Sequence, residues 1–215
     1  MSDPQHSELE AKYDANGLTL EKFESFVGAR SEMYPQTRKI TVVGTDIYYE
    51  HRRDVVRQRI GEDHHELTVK VRKSKKQIQD RHEVDLTIAA KSRPVDAQQF
   101  LKLIGFKDVL SLVKTSYIYF FRRAPSIIDT TRPEKDQYVD FDVAIYDVTL
   151  SPPGLHPVRR FLEVEIHKES PLTQAQREEE LLLLKESLYL LNIGEPLNES
   201  LYEIYSGKKY RIQKG

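Results

Sequence analysis

The sequence predicts an α+β fold built around one large antiparallel β-sheet. Two observations support this fold class: about eight extended runs alternate apolar and polar residues, and only three stretches have helical spacing. The helical stretches do not follow the strands in regular alternation, as they would in a doubly wound fold. A chain of 215 residues can bury one sizeable core, and we expect a single domain over residues 1–215.

The elements follow from the same periodicities. Leu20, Phe23 and Val27 have the spacing of a helix within residues 18–31, and a second helix is predicted to end near Gly105. Ser170–Pro171 resembles an N-cap followed by proline, which predicts a last helix running to about Leu191. Strands are predicted in the segments 7–13, 38–44, 45–51, 54–60, 65–73, 81–90, 110–123, 137–150 and 159–168, and a loop at 151–157.

Composition excludes several classes of function. Lys and Arg total 33 against 34 Asp and Glu, so the chain lacks the basic excess of a generic nucleic-acid binder. The absence of cysteine excludes disulfides, thiolate zinc sites and cysteine nucleophiles, and favours a reducing, cytoplasmic location. The N-terminus does not resemble a secretory signal, and apolar runs such as residues 117–121 are too short for a membrane-spanning helix. We therefore expect no membrane partner.

Six of the strands present charged side chains of both signs on one face and apolar side chains on the other. Side chains at i and i+2 share a face of a strand, which defines the two sets. The charged sets are Glu8, Glu10 and Lys12; Arg57 and Arg59; Glu66 and Lys70; Arg81, Glu83 and Asp85; Asp140 and Asp142; and Glu163, Glu165 and His167.

Two arrangements could accommodate these faces. In the first, every charged face is solvated on an ordinary open sheet. In the second, the sheet closes with its charges inward and its apolar face covered by helices, and a barrel of about eight strands holds one small ligand. A polyanion bound together with divalent cations would then partner both signs of charge, because Arg and Lys bind phosphate oxygens while carboxylates bind hard metal ions.

The order of motifs resembles the CYTH superfamily of triphosphate tunnel metalloenzymes over about residues 7–205. Its hallmark Glu-x-Glu-x-Lys corresponds to "ELEAK" at 8–12. The other motifs follow in order: "DIYYE" (46–50), "VRQR" (56–59), "ELTVK" (66–70), "RHEVD" (81–85), Gly105–Phe106 before Lys114, "FDVA" (141–144), "LEVE" (162–165) and "SLYEI" (200–204). The resemblance implies a closed eight-stranded antiparallel barrel, with a charged tunnel inside and helices packed outside.

The resemblance also implies roles for individual residues. The metal ligands, for Mg²⁺ or Mn²⁺, would be Glu8, Glu10, Asp142, Glu163 and Glu165. The triphosphate would be bound by Lys12, Arg57, Arg59, Lys70 and Lys114. The family usually has an arginine two positions after the lysine that corresponds to Lys114, where this chain has Ser116. Arg122, further along the same face of the strand, could substitute for that arginine. Glu8, Glu10 and Lys12 would be the catalytic residues. Glu83 and Asp85 would support the basic residues or join the metal shell.

The resemblance predicts a metal-dependent triphosphatase acting on inorganic tripolyphosphate or an organic triphosphate. Alternatives are a class IV adenylyl cyclase, an RNA 5′-triphosphatase and a protein that binds a phosphorylated nucleotide without turnover. The basic run "KVRKSKK" (70–76) favours an RNA end weakly, because it could steer a polyanion. The sequence does not indicate an oligomeric state.

Overall fold

The computed structural model describes residues 9–52, 54–62, 64–72, 81–88, 93–126, 133, 137–154, 156–167 and 172–208, without the side chains of 70–72 and 81–83. These residues form eight β-strands and four α-helices. The strands are β1 (Leu9–Asp14), β2 (Gln36–His51), β3 (Asp54–Gly61), β4 (His65–Arg72), β5 (Arg81–Thr87), β6 (Lys107–Arg123), β7 (Val139–Leu150) and β8 (Arg159–Ile166). The helices are α1 (Leu20–Gly28), α2 (Pro94–Leu103), α3 (Gln174–Leu188) and α4 (Leu201–Ser206).

All eight strands belong to one sheet in the order β1-β8-β7-β6-β2-β3-β4-β5. The predicted α+β class and antiparallel pairing are confirmed, but the predicted closure of the sheet into a barrel is not. β1 and β5 are the two edges, and within the described ranges no ladder of hydrogen bonds joins them. The side-chain alternation could not reveal this difference, because it is the same in an open sheet and in a closed one.

The chain divides into two compact units. The first contains Met1–Thr41, Ser116–Asp147 and Arg159–Leu197, and the second contains Val42–Thr115, Val148–Val158 and Asn198–Gly215. The long strands β2, β6 and β7 contribute residues to both. Each unit has its own buried cluster and is described separately below.

The first unit buries the apolar face of its strands beneath α1 and α3. Alternate residues of β7 and β8, such as Phe141 and Val164, are almost completely buried, whereas the charged residues between them are half-buried. Leu181, Leu184 and Leu188 of α3 belong to the same core, and α3 contacts β1 and β8. Burial of this many apolar side chains is the main force that holds the alternating strands in register.

The second unit covers only part of its apolar sheet face. Leu101 of α2 packs on Tyr49 and Val56, so the helix covers β2 and β3. On the edge strand β5, Val84 and Leu86 remain 54% and 58% exposed. The expectation that helices cover the apolar face is therefore met at β2 and β3, but not at β5 in the part of the chain described.

Several helix boundaries differ from the predicted ones. α3 begins after Thr173, whose side chain accepts a hydrogen bond from the Gln176 backbone N–H, while Gln176 caps Thr173 in return. The predicted cap at Ser170–Pro171 lies outside the described residues, and the cap observed is Thr173. The helix ends at Leu188 and a 3₁₀ turn (Tyr189–Leu191) completes the predicted span. α4 was not predicted as a helix.

No helix in the described ranges is long and apolar enough to cross a membrane.

Gly105, in the Gly-Phe motif, is required by backbone geometry. Its φ is +97°, which is unfavourable for residues with a Cβ, and a Cβ there would lie 2.7 Å from Cε1 of His51. The His51 ring also contacts Phe106 edge-on and lies with Nδ1 3.2 Å from the Ile104 carbonyl oxygen. Gly105 thus allows the chain to leave α2 and enter β6 against His51.

We expect Gly105→Ala to lower the free energy of unfolding by about 2 kcal/mol, from the positive φ and the contact with His51. Chemical denaturation monitored by circular dichroism measures this change. Gly28→Ala is the matched control, because a Cβ at Gly28 would have no heavy atom within 4 Å and the residue ends helix α1. Equal stability of Gly105→Ala and the wild type would contradict the structural role assigned to Gly105.

Candidate functional site

The charged face of the first unit has a buried ion pair at its centre. Nζ of Lys12 lies 3.0 Å from Oε2 of Glu163, and the side chain of Lys12 is only 9% exposed. The Tyr146 hydroxyl donates to the same carboxylate oxygen at 3.0 Å. Lys12 and Glu163 are directly opposite each other in the antiparallel β1–β8 pair, so strand register fixes this contact.

Two more carboxylates are placed by the same register. Glu10 lies directly opposite Glu165, on the face that carries Lys12 and Glu163, and Glu10 is 7% exposed. Asp142 on β7 lies 3.4 Å from Nε2 of His167, which follows the end of β8. Four of the five predicted metal ligands are therefore on the neighbouring strands β1, β8 and β7. The fifth, Glu8, lies outside the described residues.

The donor chemistry of this face suits a hard divalent cation. Carboxylate oxygens are the ligands that Mg²⁺ and Mn²⁺ prefer. Glu10 and Glu165, directly opposite each other, offer two carboxylates on neighbouring strands to one cation. Among the described side chains, however, no three acidic or histidine residues are gathered closely enough to hold a metal together. The donors of this face are therefore of the chemical kind that the predicted ion prefers.

Arg122, predicted to bind phosphate, forms an ion pair with Asp140 in the first unit. Its guanidinium makes two hydrogen bonds to the Asp140 carboxylate, of 2.6 and 2.7 Å, and its Cζ lies 4.2 Å from the centre of the Tyr138 ring. This pairing gives Arg122 an anionic partner with which any phosphate would compete.

The charged face of the second unit contains two neighbouring arginines and two carboxylates. Arg59 donates from Nε to Asp46 at 3.0 Å and has its Nη1 3.6 Å from Glu66. Arg57 donates to the same oxygen of Glu66 at 3.1 Å. Asp46 is almost completely buried, and Arg57 and Glu66 have side chains that are 12% and 13% exposed. Within the unit, Glu66 thus bridges the two predicted phosphate ligands.

Electrostatics keep both carboxylates ionised. Burial alone would raise the pKa of Asp46, but the positive charges of Arg59, Arg57 and Lys114 outweigh it and hold this pKa well below its usual range. Burial also opposes ionisation of Glu66, and the two arginines likewise lower its pKa. Lys114, another predicted phosphate ligand, therefore acts in the same electrostatic field as Arg57 and Arg59.

The remaining predicted residues of the second unit are partly described. The Thr68 hydroxyl accepts a hydrogen bond from Arg57 at 2.9 Å and donates to Asp85 at 2.7 Å, so Asp85 supports Arg57 through Thr68. Lys70 and Glu83 are opposite each other in the β4–β5 pair, but their side chains lie outside the described set.

Several residues that contact the predicted ligands were not assigned a role from the sequence, among them Asp46, Glu66, Thr68 and Tyr146. Asp46 and Glu66 flank Arg59 on both sides in the register of β2, β3 and β4. The alternation places Glu66 on the charged face of its strand, whereas Asp46 appears in the sequence only as part of the "DIYYE" motif. Strand pairing was needed to show that both residues contact arginines. Tyr146 lies on the same face of β7 as Asp140 and Asp142. As an uncharged residue in a charged set, it gave no signal in the sequence.

The sequence model of the CYTH domain matches residues 17–194 of this chain. The matched range covers β2 to β8 and begins after the Glu-x-Glu-x-Lys motif. A search of the curated proteins finds no significant match.

Solved structures share the fold. The PH1819 protein from Pyrococcus horikoshii OT3 is 23% identical, with a TM-score of 0.59 over 94% of this chain and 99% of that one. A conserved hypothetical protein from Pyrococcus furiosus is 18% identical, with a TM-score of 0.57 over 92% of this chain and 99% of that one. A chain of the Schizosaccharomyces pombe Mediator head module is 13% identical, with a TM-score of 0.53 over 87% and 95%. At these identities the likeness concerns the fold alone.

We expect Asp46→Asn to lower the free energy of unfolding at pH 7 by about 2 kcal/mol, because it removes the ion pair with Arg59. The loss is smaller than for a fully buried pair, since a third of the Arg59 side chain is exposed. The lowered pKa of Asp46 also predicts a pH dependence. The stabilisation that the Asp46 carboxylate contributes is complete above its pKa in the unfolded chain, about 3.9. It is lost as the pH falls toward the lower pKa of Asp46 in the folded protein.

Urea denaturation at pH 7, 5 and 3 measures both effects. The difference between wild type and Asp46→Asn should shrink at pH 3. Asp108→Asn is the control in the same unit, because the Asp108–Lys102 pair is more than half exposed and 3.4 Å apart. A constant difference across this pH range would show that Asp46 does not act through its charge.

Proposed function

Because this chain belongs to the CYTH domain family, we propose that it is a metal-dependent hydrolase that releases orthophosphate from triphosphate substrates. The observation that carries the proposal is the β1–β8 register, which places Glu10 opposite Glu165 beside the Lys12–Glu163 pair. Simple anion capture needs only cations, whereas this face places several carboxylates beside Lys12. Binding of a metal together with phosphate accounts for both signs of charge.

In the first unit, Glu10, Glu165, Glu163 and Asp142 would hold Mg²⁺ or Mn²⁺, with Glu8 completing the set. The bound ion would neutralise charge on phosphate oxygens and lower the pKa of a coordinated water. Lys12 would donate to a phosphate oxygen in exchange for its contact with Glu163. Tyr146 holds Glu163 at a fixed position through its hydroxyl, and would keep it there when Lys12 moves to substrate.

In the second unit, Arg57, Arg59 and Lys114 would bind phosphate oxygens, with Lys70 as a further ligand. The planar guanidinium group makes two parallel hydrogen bonds to phosphate, which suits the two arginines for this task. Asp46 and Glu66 balance their charge before substrate binds and restrict their orientation. Asp85 would support Arg57 through Thr68, as it does in the structure.

A hydrolase and a cyclase of this family would use the same charged residues and differ in their products. A cyclase must hold both ribose and base so that the 3′-hydroxyl attacks the α-phosphate, whereas a hydrolase also accepts a substrate without ribose. We favour the hydrolase and expect inorganic tripolyphosphate to be cleaved, and ATP to give ADP and orthophosphate.

The first test is a substrate panel of tripolyphosphate, ATP, thiamine triphosphate and a 5′-triphosphorylated RNA, with products resolved by chromatography. Activity should disappear with excess chelator and return with Mg²⁺ or Mn²⁺. Cyclic AMP and pyrophosphate as the main products from ATP, with tripolyphosphate intact, would replace the hydrolase by the cyclase. Binding of these compounds without any turnover would favour a non-catalytic role.

The second test separates the two charged classes. Glu165→Gln should lower kcat at least about 100-fold by removing a metal ligand. Arg57→Ala should raise KM about tenfold with a smaller change in kcat, because it removes a charge-assisted hydrogen bond to phosphate. Steady-state kinetics on tripolyphosphate at saturating metal measure both constants.

Exposed residues of the same units provide the controls, Glu178→Gln for the first and Lys102→Ala for the second. Both should keep wild-type constants. Unfolding midpoints for all variants separate a loss of function from a loss of structure. If Glu165→Gln and Arg57→Ala change kcat and KM alike while remaining folded, the division of roles is wrong.

A further inference from the structure

Two aromatic rings on the charged face of the first unit each lie beneath an arginine. Cζ of Arg38 is 4.5 Å from the centre of the Phe120 ring, and Cζ of Arg122 is 4.2 Å from that of Tyr138. Arg38 comes from β2, and Phe120 and Arg122 come from β6. Hydrogen bonds from the Thr37 hydroxyl to the Phe120 carbonyl and from the Arg122 backbone N–H to the Pro35 carbonyl hold these segments side by side.

The two arginines differ in how far they are restrained. Arg122 is fixed by two hydrogen bonds to Asp140. Arg38 is exposed, and no carboxylate in the described ranges lies within ion-pairing distance of it. A guanidinium that lies over an aromatic ring and faces solvent can accept a second planar ring on its outer side, by stacking and cation–π attraction.

This pair lies next to the carboxylates of the proposed hydrolytic site. The Phe120 ring contacts the His167 ring edge-on, with centroids 6.5 Å apart, and Nε2 of His167 is 3.4 Å from Asp142. Asp142 is one of the residues proposed to hold metal. A substrate with phosphates bound near Asp142 would therefore have its organic group within reach of Arg38 and Phe120.

We propose that Arg38 and Phe120 form a stacking subsite for the planar ring of an organic triphosphate, such as a nucleobase. The ring stacks on the exposed side of the Arg38 guanidinium, and Phe120 supports this guanidinium from beneath. The subsite rests on the proposed function, because the phosphates of the same molecule are bound at the hydrolytic site. It determines specificity, since inorganic tripolyphosphate has no ring to place there.

The test compares ATP with inorganic tripolyphosphate in Arg38→Ala, Arg38→Lys and Phe120→Ala. Loss of one stacking contact should lower kcat/KM for ATP about tenfold and leave that for tripolyphosphate within about twofold. Arg38→Lys should remain impaired with ATP, because lysine keeps the charge but not the planar group. Isothermal titration calorimetry of both compounds in the presence of metal should show the same selective loss of ATP affinity.

Arg30→Ala is the matched control: Cζ of Arg30 lies 4.3 Å from the centre of the Phe26 ring, on helix α1. It should change neither substrate. Equal losses for ATP and tripolyphosphate in Arg38→Ala, or full ATP affinity in both alanine variants, would overturn the subsite while leaving the hydrolase intact. If the wild type cleaves neither compound, the proposed function fails, and the calorimetric comparison still decides whether Arg38 and Phe120 bind the ring.

Discussion

The two-residue alternation of the strands is the constraint on which the rest of the structure depends. In the first unit, each apolar residue of β7 and β8 that faces α1 and α3 places its neighbour on the opposite face. A shift of register by one residue would put Glu163 in the core and Val164 among the charges, which is prohibitively unfavourable. Hydrophobic burial on one face therefore positions the charged groups on the other, with no contribution required from the charges themselves.

The charged faces must nevertheless be tolerable to the folded chain, and local ion pairing makes them so. Lys12 with Glu163, and Arg59 with Asp46, pair across neighbouring strands, while Glu66 serves two arginines. These pairs compensate the desolvation of their members and keep side chains with many rotamers in defined positions. Under the proposed function they also oppose ligand binding, because a phosphate or metal would have to replace contacts that already exist. The proposed ligand, a metal–triphosphate complex, carries both charges and would replace both partners of a pair at once.

Most elements of the fold could be predicted from periodicity, because burial enforces it locally. The closure of the sheet could not, since the alternation of Glu10, Lys12 and their neighbours is identical whether or not β1 and β5 are joined. In the site, the sequence shows which face of a strand a residue occupies, but not which residue it contacts. The alternation places Glu66 on a charged face, and only the β3–β4 register reveals that it contacts both Arg57 and Arg59. The cap at Thr173 was missed because Ser170–Pro171 offered a stronger local signal than a Thr-x-x-Gln box.

Arg38 and Arg122 show how one kind of contact can serve two purposes. Both guanidinium groups lie over an aromatic ring at nearly the same distance, 4.5 and 4.2 Å. Asp140 neutralises Arg122 and limits its orientation through two hydrogen bonds, so this arginine links the neighbouring strands β6 and β7. Arg38 keeps its charge and one open face, which are the properties that a ligand with an electron-rich planar ring can use. The difference arises from the carboxylate beside one arginine, and not from the aromatic contact that both share.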